Sequence, residues 1–321
     1  MATRPARAQL RAALSAGLER LPAGWFRRLQ QAHAEAVADA PTSRRRRVLG
    51  AAVGVARFRA LPVSEFEVFD YPGVRLRSAD SVVTRMLFWY GGNGYEGAET
   101  AWWRHACERA TSVLELGSNI GYYTVQGALA NPACRYRAVE PHPDSAAIVR
   151  ANLELNGITN VEVIEAAAVG APVEGRLELS IPDQDAYAAP AGAFLRAGGE
   201  GVDHLSAQRT VEVDAVAIHD LIDGVDLLKL DIEGHEAEVL EPIMDLLIER
   251  KPTMFLEVRL AEVPHLRAIV ARLAEHGYAV FAIGSESLHL VTKAELDPGG
   301  RLPRYGSRDL MLVDAAAVGS L

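Results

Sequence analysis

The chain is poor in cysteine, has no long apolar stretch and carries no excess of basic residues. Its 321 residues include two cysteines, Cys107 and Cys134, whose spacing matches neither CxxC nor a zinc-ligand pattern. Both are therefore expected to be buried thiols in a reducing compartment, which favours the cytoplasm. No apolar run approaches the roughly 20 residues that cross a bilayer, so we expect no association with a membrane.

The charge balance is acidic, with a formal net charge of -9 and a pI near 5.5. Proteins that bind nucleic acid through its phosphates usually present a basic face. The balance therefore argues against DNA or long RNA as a partner, and it favours a small molecule.

The first 64 residues differ from the rest of the chain, because they are rich in alanine and arginine. Leu10, Leu14 and Leu18 fall at i, i+4 and i+8, which places them on one face of a helix. We expect residues 1–64 to form a helical appendage that packs on the core or on a second subunit. A homo-oligomer held by these helices is therefore one expected form of the protein.

From residue 65 to 321, apolar strands alternate with amphipathic helices, and the predicted helices include residues 143–155, 236–250 and 264–276. The predicted strands are SVLEL, RYRAV, VEVIEA, DLLKLD, TMFLEV, YAVFAI and LMLV. Such alternation is typical of a mostly parallel sheet covered on both faces, which is a doubly wound α/β domain of seven strands. A stretch rich in Gly, Ala and Pro at residues 181–208 interrupts it, and a loop of that length is usually a lid or a binding loop.

A glycine turn follows the predicted strand Val113–Leu116, in the stretch VLELGSNIGYY. Gly117 and Gly121 let the backbone bend sharply and let a ligand approach without a Cβ in the way. The helix predicted from Tyr122 onward offers unpaired N–H groups and a partial positive charge at its start. Asn119, between the two glycines, can bond to a ligand or cap that helix.

An acidic residue, Glu140, ends the next predicted strand, 19 positions after Gly121. A carboxylate at about that distance can accept both hydroxyls of a ribose, so the two motifs together predict a nucleoside site. A dinucleotide site favours GxGxxG, whereas Asn119 stands here at the second glycine's place. Glu115, just before the turn, suits a ligand with an ammonium or sulfonium group and disfavours a pyrophosphate. S-adenosylmethionine meets both requirements, although Glu115 could instead be a helix-cap acceptor.

Three stretches resemble the FkbM family of S-adenosylmethionine-dependent methyltransferases: VLELGSNIGYYTV, AVEPHPDSAAIVRANLELNGITNVEVIEAAAVG and LLKLDIEGHEAEVL. The resemblance covers about residues 95–260, and KxDIEGxE is its most specific part. It implies a seven-stranded, Rossmann-like methyltransferase sheet and the methylation of hydroxyls on sugars or polyketide-type secondary metabolites. The cofactor-binding residues that it implies are Glu115, Gly117, Ser118, Asn119, Gly121, Glu140, Pro141 and Ala167. Among them, Glu140 would hold the ribose and Ala167 would lie near the adenine.

The stretch KLDIEGHE, residues 229–236, is the candidate catalytic element. Asp231 ends a predicted strand at the cofactor crevice, and His235 follows within one turn. An aliphatic hydroxyl is a poor nucleophile at neutral pH, so methyl transfer to it needs a group that takes its proton. His235 is the natural general base, since its unperturbed pKa is near 6.5. Asp231 could orient His235, accept the hydroxyl proton itself or hold a divalent metal.

A metal-dependent alternative uses the same region of the chain. Asp231, Glu233 and Glu257 could supply oxygen ligands to Mg²⁺, which would acidify the acceptor hydroxyl. In the other interpretation, Glu233 and Glu236 only stabilise the first turn of the following helix.

Small-molecule O-methylation is the function that these patterns favour. An NAD-dependent oxidoreductase on a similar sheet is a first alternative, and the missing second glycine opposes it. A methyltransferase acting on RNA or protein is a second, and the acidic charge opposes RNA. A third alternative is a protein that keeps the cofactor pocket without catalysis.

Overall fold

The computed structural model of the protein describes residues 61, 63–79, 81–182, 194–195, 207–258, 263–284, 286–303 and 309–320. The chain divides into two compact units, Met1–Tyr95 and Glu96–Leu321. The predicted appendage at residues 1–64 lies almost entirely outside the described residues. Its helical nature, its boundary and its role in an oligomer stay predictions.

The described part of the first unit is a small hairpin followed by a helix. Strands β1 (Glu65–Glu67) and β2 (Arg75–Arg77) pair antiparallel. Helix α1 (Val82–Tyr90) begins after Ser81, whose hydroxyl accepts a hydrogen bond from the backbone N–H of Val83 at 3.2 Å. This bond satisfies one of the N–H groups that a helix start leaves unpaired.

The second unit contains the remaining strands and helices. Its strands are β3 (Ser112–Leu116), β4 (Arg135–Val139), β5 (Val161–Ile164), β6 (Ala167–Val169), β7 (Leu177–Pro182), β8 (Phe194–Leu195), β9 (Ala207–Val213), β10 (Ala215–Ala217), β11 (Leu227–Leu230), β12 (Thr253–Leu256), β13 (Tyr278–Ile283), β14 (Leu288–Leu290) and β15 (Leu310–Asp314). Its helices are α2 (Gly97–Cys107), α3 (Tyr122–Ala130), α4 (Pro143–Leu155), α5 (Glu236–Leu240), α6 (Met244–Arg250), α7 (Val263–Glu275) and α8 (Lys293–Leu296).

Eight strands form the main sheet, in the order β14-β13-β15-β12-β11-β3-β4-β5. The five strands from β12 to β5 are parallel, while β15, β13 and β14 are joined by antiparallel pairs. The predicted class, a doubly wound and mostly parallel α/β sheet, is confirmed. The predicted count of seven strands is one short, because β14 has only three residues and no clear apolar pattern.

The order of the strands creates a switch point between β3 and β11. The chain builds β3, β4 and β5 outward in one direction and then returns to place β11 on the other side of β3. In open parallel sheets, ligands bind beyond the carboxyl ends of the strands at such a point. The turns after β3 and β11 are therefore where a site is expected.

The predicted loop at residues 181–208 begins inside one strand and ends inside another. β7 and β9 pair antiparallel, and β8 adds to β7, which gives a separate sheet in the order β8-β7-β9. Residues 183–193 and 196–206 lie outside the described part of the chain. The role of this segment as a lid or binding loop stays a prediction.

A broad apolar core packs against the sheet. Val113, Leu228 and Leu256 are completely or almost completely buried, as strands covered on both faces must be. The helix predicted over residues 236–250 is instead two helices, because Pro242 lies in a 3-10 turn between them and lacks an N–H donor. Cys107 and Cys134 are free and buried, as predicted. Within the described ranges, we find no helix with the length and apolar character that a membrane span requires.

Candidate active site

Two turns touch at the switch point, one after β3 and one after β11. The backbone N–H groups of Gly117 and Ser118 both donate to the carbonyl oxygen of Val139, at 2.9 and 3.1 Å. Gly117 has a φ of +86°, and a Cβ built there would lie 1.7 Å from the carbonyl oxygen of Asp231. A side chain here would force the two turns apart, so the position favours glycine. The sequence predicted that this glycine lets a ligand approach, and in the structure the Asp231 backbone is what approaches it.

Glu140, at the end of β4, braces the glycine turn. Its Oε2 accepts a hydrogen bond from the backbone N–H of Asn119 at 2.7 Å, and its Oε1 accepts one from that of His142 at 2.9 Å. Burial raises the pKa of Glu140 to about 8. A carboxyl group can make more than two hydrogen bonds in either protonation state, so these two leave capacity for ribose hydroxyls. The predicted ribose contact stays a prediction, and the bracing of the turn is a role that the sequence did not indicate.

Glu115 lies inside the protein rather than at the surface of the crevice. It is 1% exposed, and its Oε2 accepts hydrogen bonds from Thr124 Oγ1 at 2.7 Å and from the Tyr136 hydroxyl at 2.5 Å. Burial raises its pKa. This carboxyl group ties β3 to α3 and β4, so the structure favours a bracing role over the predicted contact with a ligand's ammonium.

The other predicted cofactor residues occupy the turns and strand ends around this point. Ser118 is 4% exposed, and its hydroxyl has no hydrogen-bond partner among the described residues. Asn119 has a φ of +51° and does not cap α3, since Gly121 is the capping residue. Ala167 is 2% exposed in β6, where its N–H donates to the Asp214 carbonyl at 2.8 Å. Pro141 is half-buried beside Glu140.

The second turn, after β11, is held by Glu236. Its Oε1 accepts hydrogen bonds from the backbone N–H groups of Ile232 at 3.0 Å and Gly234 at 3.3 Å. Between those residues, Glu233 has a φ of +58°, which is costly for a residue with a Cβ. Glu236 is 1% exposed, and burial raises its pKa to about 7. The last acid of the DIEGHE motif therefore shapes the turn that carries Asp231.

Carboxyl groups line the ligand edge of three neighbouring strands. Leu230 pairs with Leu256 and Leu256 pairs with Leu310, so the next residues toward that edge, Asp231, Glu257 and Asp309, lie side by side. Burial, and then the negative charge of Asp231, raise the pKa of Glu257 to about 9, and the two side chains share a hydrogen bond. Two carboxyl groups this close cannot both ionise readily, so Glu257 is the one that keeps a proton at neutral pH.

The predicted metal ligands are Asp231, Glu233 and Glu257. Among the described residues, no group of three or more His, Cys, Asp or Glu side chains is arranged to hold a metal ion. The Mg²⁺ alternative therefore finds no support in this part of the chain.

A buried ion pair lies beneath the carboxyl row. Lys229 Nζ is 3.0 Å from Glu99 Oε1 and 3.8 Å from Asp231 Oδ2, and the side chains of Lys229 and Glu99 are 2% and 0% exposed. Lys229 Nζ also lies 4.4 Å from the centre of the Tyr123 ring. Asp309 is hydrogen-bonded to Glu99, and burial raises its pKa well above the usual range.

Sequence reasoning missed Glu99 and Asp309, and also Glu96, which accepts a hydrogen bond from the Tyr123 hydroxyl at 3.0 Å. One signal was available for Glu99. It lies at i, with Trp103 at i+4 and Cys107 at i+8, and all three are 0% exposed. A carboxylate on the apolar stripe of a helix requires a buried partner.

His235 lies at the start of α5, as predicted, and its ring contacts an acid that the sequence did not single out. Its Nδ1 is 3.1 Å from Glu238 Oε2, while the side chains of His235 and Glu238 are 14% and 59% exposed. A carboxylate on Nδ1 fixes the orientation and tautomer of an imidazole. The orienting partner is thus Glu238, where the sequence suggested Asp231.

The switch point, with a close-approach glycine, an acidic strand end and a second acidic turn, is the place where open α/β sheets bind their ligands. A family model described as the methyltransferase FkbM domain matches residues 115–280, just over half of the chain. The chain belongs to this family and is an S-adenosylmethionine-dependent methyltransferase. The NAD-dependent oxidoreductase alternative is therefore wrong.

Solved structures that resemble this chain include several methyltransferases. Methyltransferase FkbM from Methylobacillus flagellatus KT is 14% identical, with a TM-score of 0.40, over 71% of this chain and 54% of that one. Precorrin-6y C5,15-methyltransferase from Geobacter metallireducens GS-15 is 16% identical, with a TM-score of 0.35, over 67% and 84%. The O-methyltransferase from Bacillus cereus in complex with SAH is 14% identical, with a TM-score of 0.34, over 67% and 80%. No match was found among curated proteins.

The residues at the switch point fit S-adenosylmethionine in two respects. Gly117, which has no Cβ, lets the turn that carries Asp231 lie against the glycine turn, so a carboxylate stands beside the proposed cofactor position. Asp231 lies beside the glycine turn, where a carboxylate suits a donor that carries ammonium and sulfonium charges, and it is one of five carboxyl groups around Lys229. They are Glu96, Glu99, Asp231, Glu257 and Asp309.

Proposed function

We propose that this methyltransferase acts on a hydroxyl group of a small molecule, either a sugar or a polyketide-type secondary metabolite. Asp231 is the observation that supports the proposal best. It is partly exposed, with 25% of its side chain accessible, and it lies at the strand end beside the glycine turn. A carboxylate there can accept the hydrogen bond of an incoming hydroxyl and orient its oxygen.

S-adenosylmethionine would supply an electrophilic methyl group at this site. We assign its binding to the turn at Gly117, Ser118 and Asn119, and its ribose to Glu140. Pro141 and Ala167 complete the proposed set, with Ala167 on the adenine side. Glu115 would act from behind by holding β3, α3 and β4 together.

The acidic surroundings also bear on the acceptor. The negative charge of Asp231 would repel an anionic group such as a phosphate, whereas neutral polyols can donate hydrogen bonds to Asp231. The proposal is therefore a neutral hydroxylated metabolite, and nucleic acid is not expected as a substrate.

Two measurements test this function. Calorimetric titration with S-adenosylhomocysteine should detect binding, and a panel of hydroxylated metabolites should contain one that gains a methyl group. Asp231→Asn should lower kcat by about 10²-fold or more while S-adenosylhomocysteine still binds. Asp245→Asn is the matched control, because that side chain is 99% exposed on α6. Full turnover of Asp231→Asn, or methylation of RNA in preference to the panel, would reject the proposal.

His235 is tested in the same assay. The sequence predicted His235 as the general base, and in that role His235→Ala would lower kcat and leave S-adenosylhomocysteine binding intact. Unchanged turnover would remove His235 from the mechanism.

A further inference from the structure

Glu96 has an unusual backbone conformation at the edge of the site. Its φ of 48° and ψ of 39° are left-handed, and its side chain does not cap the helix that follows. Four described residues other than glycine have a positive φ: Glu96, Asn119, Glu233 and Lys251. Asn119 and Glu233 lie in the two turns of the candidate active site. Strain of this kind persists where the surrounding structure holds a residue in place, and it gathers at functional sites.

The Glu96 side chain is held by contacts that lead to Asp231. Its Oε2 accepts a hydrogen bond from the Tyr123 hydroxyl at 3.0 Å. The Tyr123 ring lies 4.4 Å from Lys229 Nζ, which in turn lies 3.8 Å from Asp231 Oδ2. Glu96 therefore belongs to the cluster of carboxyl groups around Lys229 that also contains Asp231, although Glu96 and Asp231 are far apart in the sequence.

Exposure separates the carboxyl groups of this cluster into two sets. Glu99 and Asp309 are 0% and 4% exposed, so they have no route to a ligand. Glu96, Asp231 and Glu257 are only partly buried. Glu257 carries a proton at neutral pH, since its pKa is about 9, and it cannot take another. Glu96 and Asp231 are the accessible acids of the set that remain.

We propose that Glu96, in the role that the sequence predicted for His235, takes the proton of the acceptor hydroxyl during methyl transfer. This inference rests on the proposed O-methylation. The O–H bond of the acceptor breaks as its oxygen forms a bond to the methyl carbon, and the carbon–sulfur bond of the donor breaks. The proton passes to the Glu96 carboxylate and from there to solvent. Tyr123 and Lys229 are positioning residues, and Asp231 orients the hydroxyl.

The ionisation of Glu96 suits this role. Burial, and then the negative charge of Glu99, raise its pKa to about 7, while Lys229 and the Tyr123 hydrogen bond lower it. A general base works best when its pKa lies near the working pH. The charged or titratable groups that face it from α2, α3, β11 and the start of β15 are Glu99, Tyr123, Lys229, Asp231 and Asp309.

The test compares Glu96→Gln, just before α2, with Glu108→Gln, just after α2, where the side chain is 53% exposed. Glutamine keeps an oxygen for the Tyr123 hydroxyl and cannot take a proton. We expect Glu96→Gln to lower kcat by about 10²-fold or more and to abolish the rise of kcat through about pH 7. S-adenosylhomocysteine affinity should stay within about threefold of wild type, a change below the 1.4 kcal/mol of a tenfold effect. Glu108→Gln should match wild type in all three measurements.

A second readout needs no turnover. The pKa of Glu96 is raised from 4.5 in the unfolded chain to about 7 in the folded protein, so its ionisation destabilises the fold as pH rises between these values. Glu96→Gln should remove that part of the fall in melting temperature. If Glu96→Gln does not fold, Tyr123→Phe is the variant that tests the same role. Without the hydrogen bond that lowers the pKa of Glu96, the acid limb of kcat should move to higher pH.

The outcomes separate the two proposals. Absence of S-adenosylhomocysteine binding by the wild type, or of any methylated hydroxyl, would reject the proposed function. Normal kcat and an unchanged acid limb in Glu96→Gln, with binding and methylation present in the wild type, would overturn the role of Glu96 alone. Loss of S-adenosylhomocysteine binding in Glu96→Gln would also overturn it, because the residue would then hold the cofactor.

Discussion

Replacing Gly117 by alanine tests the contact on which the site is built. The new Cβ would lie 1.7 Å from the Asp231 carbonyl oxygen, whereas real Cβ atoms essentially never come closer than 3.0 Å to another heavy atom. The two turns would have to separate by more than about 1 Å. Misplacement of that size at a reacting centre costs about 10²-fold in rate.

The cost in stability has two parts. A residue with a Cβ pays about 1–2 kcal/mol in the left-handed conformation that Gly117 adopts at φ +86°. Overpacking of the closed contact adds about 1–3 kcal/mol. The sum is a large part of a typical stability of about 5–15 kcal/mol, although it is less than the whole. We therefore expect Gly117→Ala to fold with a lower urea midpoint.

Gly224→Ala is the matched control for this variant. Gly224 also has a positive φ, of +69°, but a Cβ there would meet nothing within 4 Å. It precedes β11 at the opposite edge of the sheet. Gly224→Ala should lower the free energy of unfolding only by the cost of the left-handed conformation, about 1–2 kcal/mol, and should bind S-adenosylhomocysteine normally.

The assay pairs urea unfolding with calorimetric titration of S-adenosylhomocysteine. Gly117→Ala should weaken binding by about 10²-fold, which corresponds to about 2.7 kcal/mol. If it binds within about threefold of Gly224→Ala, a change of less than 1 kcal/mol, then the close approach of the two turns does not form the site.

Three further predictions concern charged groups. The pKa of Glu236 is about 7 in the folded protein and lower in the unfolded chain, so the free energy of unfolding falls between about pH 4.5 and pH 7. Glu236→Gln should flatten this fall. At about pH 8 the variant should be more stable than wild type by about 3 kcal/mol in urea unfolding. An unchanged pH dependence would contradict that pKa. Lys229→Met should cost about 3–5 kcal/mol by leaving the buried Glu99 without a cation, and adding Glu99→Gln should recover most of the loss in the same assay. No recovery would mean that the pair is not coupled. Glu140→Ala should weaken S-adenosylhomocysteine binding by about 10–100-fold in calorimetry, because the glycine turn loses its brace, and a normal affinity would exclude both the bracing and the ribose contact.

The local sequence was sufficient to predict the strands of the parallel sheet and the turn that marks the site. Apolar runs such as Val113–Leu116 and the pair Gly117 and Gly121 carry their structural consequence within a few residues. Pattern and backbone chemistry act at that range, so the fold class and the motif were predictable. Helix α4 was predicted to its observed bounds, Pro143–Leu155, because proline favours the first position of a helix.

Only the tertiary structure decided what the side chains at that turn contact. Glu115 and Glu140 were both predicted at the ligand, but the fold buries the first against Thr124 and Tyr136. The direction in which the Glu115 side chain points depends on which helix and strand pack beside β3. The residues next to Glu115 in the sequence do not determine that packing.

The cluster around Lys229 shows the same limit most clearly. Its members Glu96, Glu99, Asp231 and Asp309 come from widely separated segments and meet because β11 lies between β3 and β12 while β15 runs antiparallel beside β12. Each carboxyl group alone resembles an ordinary charged residue. Their protonation, and with it the chemistry that the site can perform, arises only when the strand order brings them out of water and into each other's field.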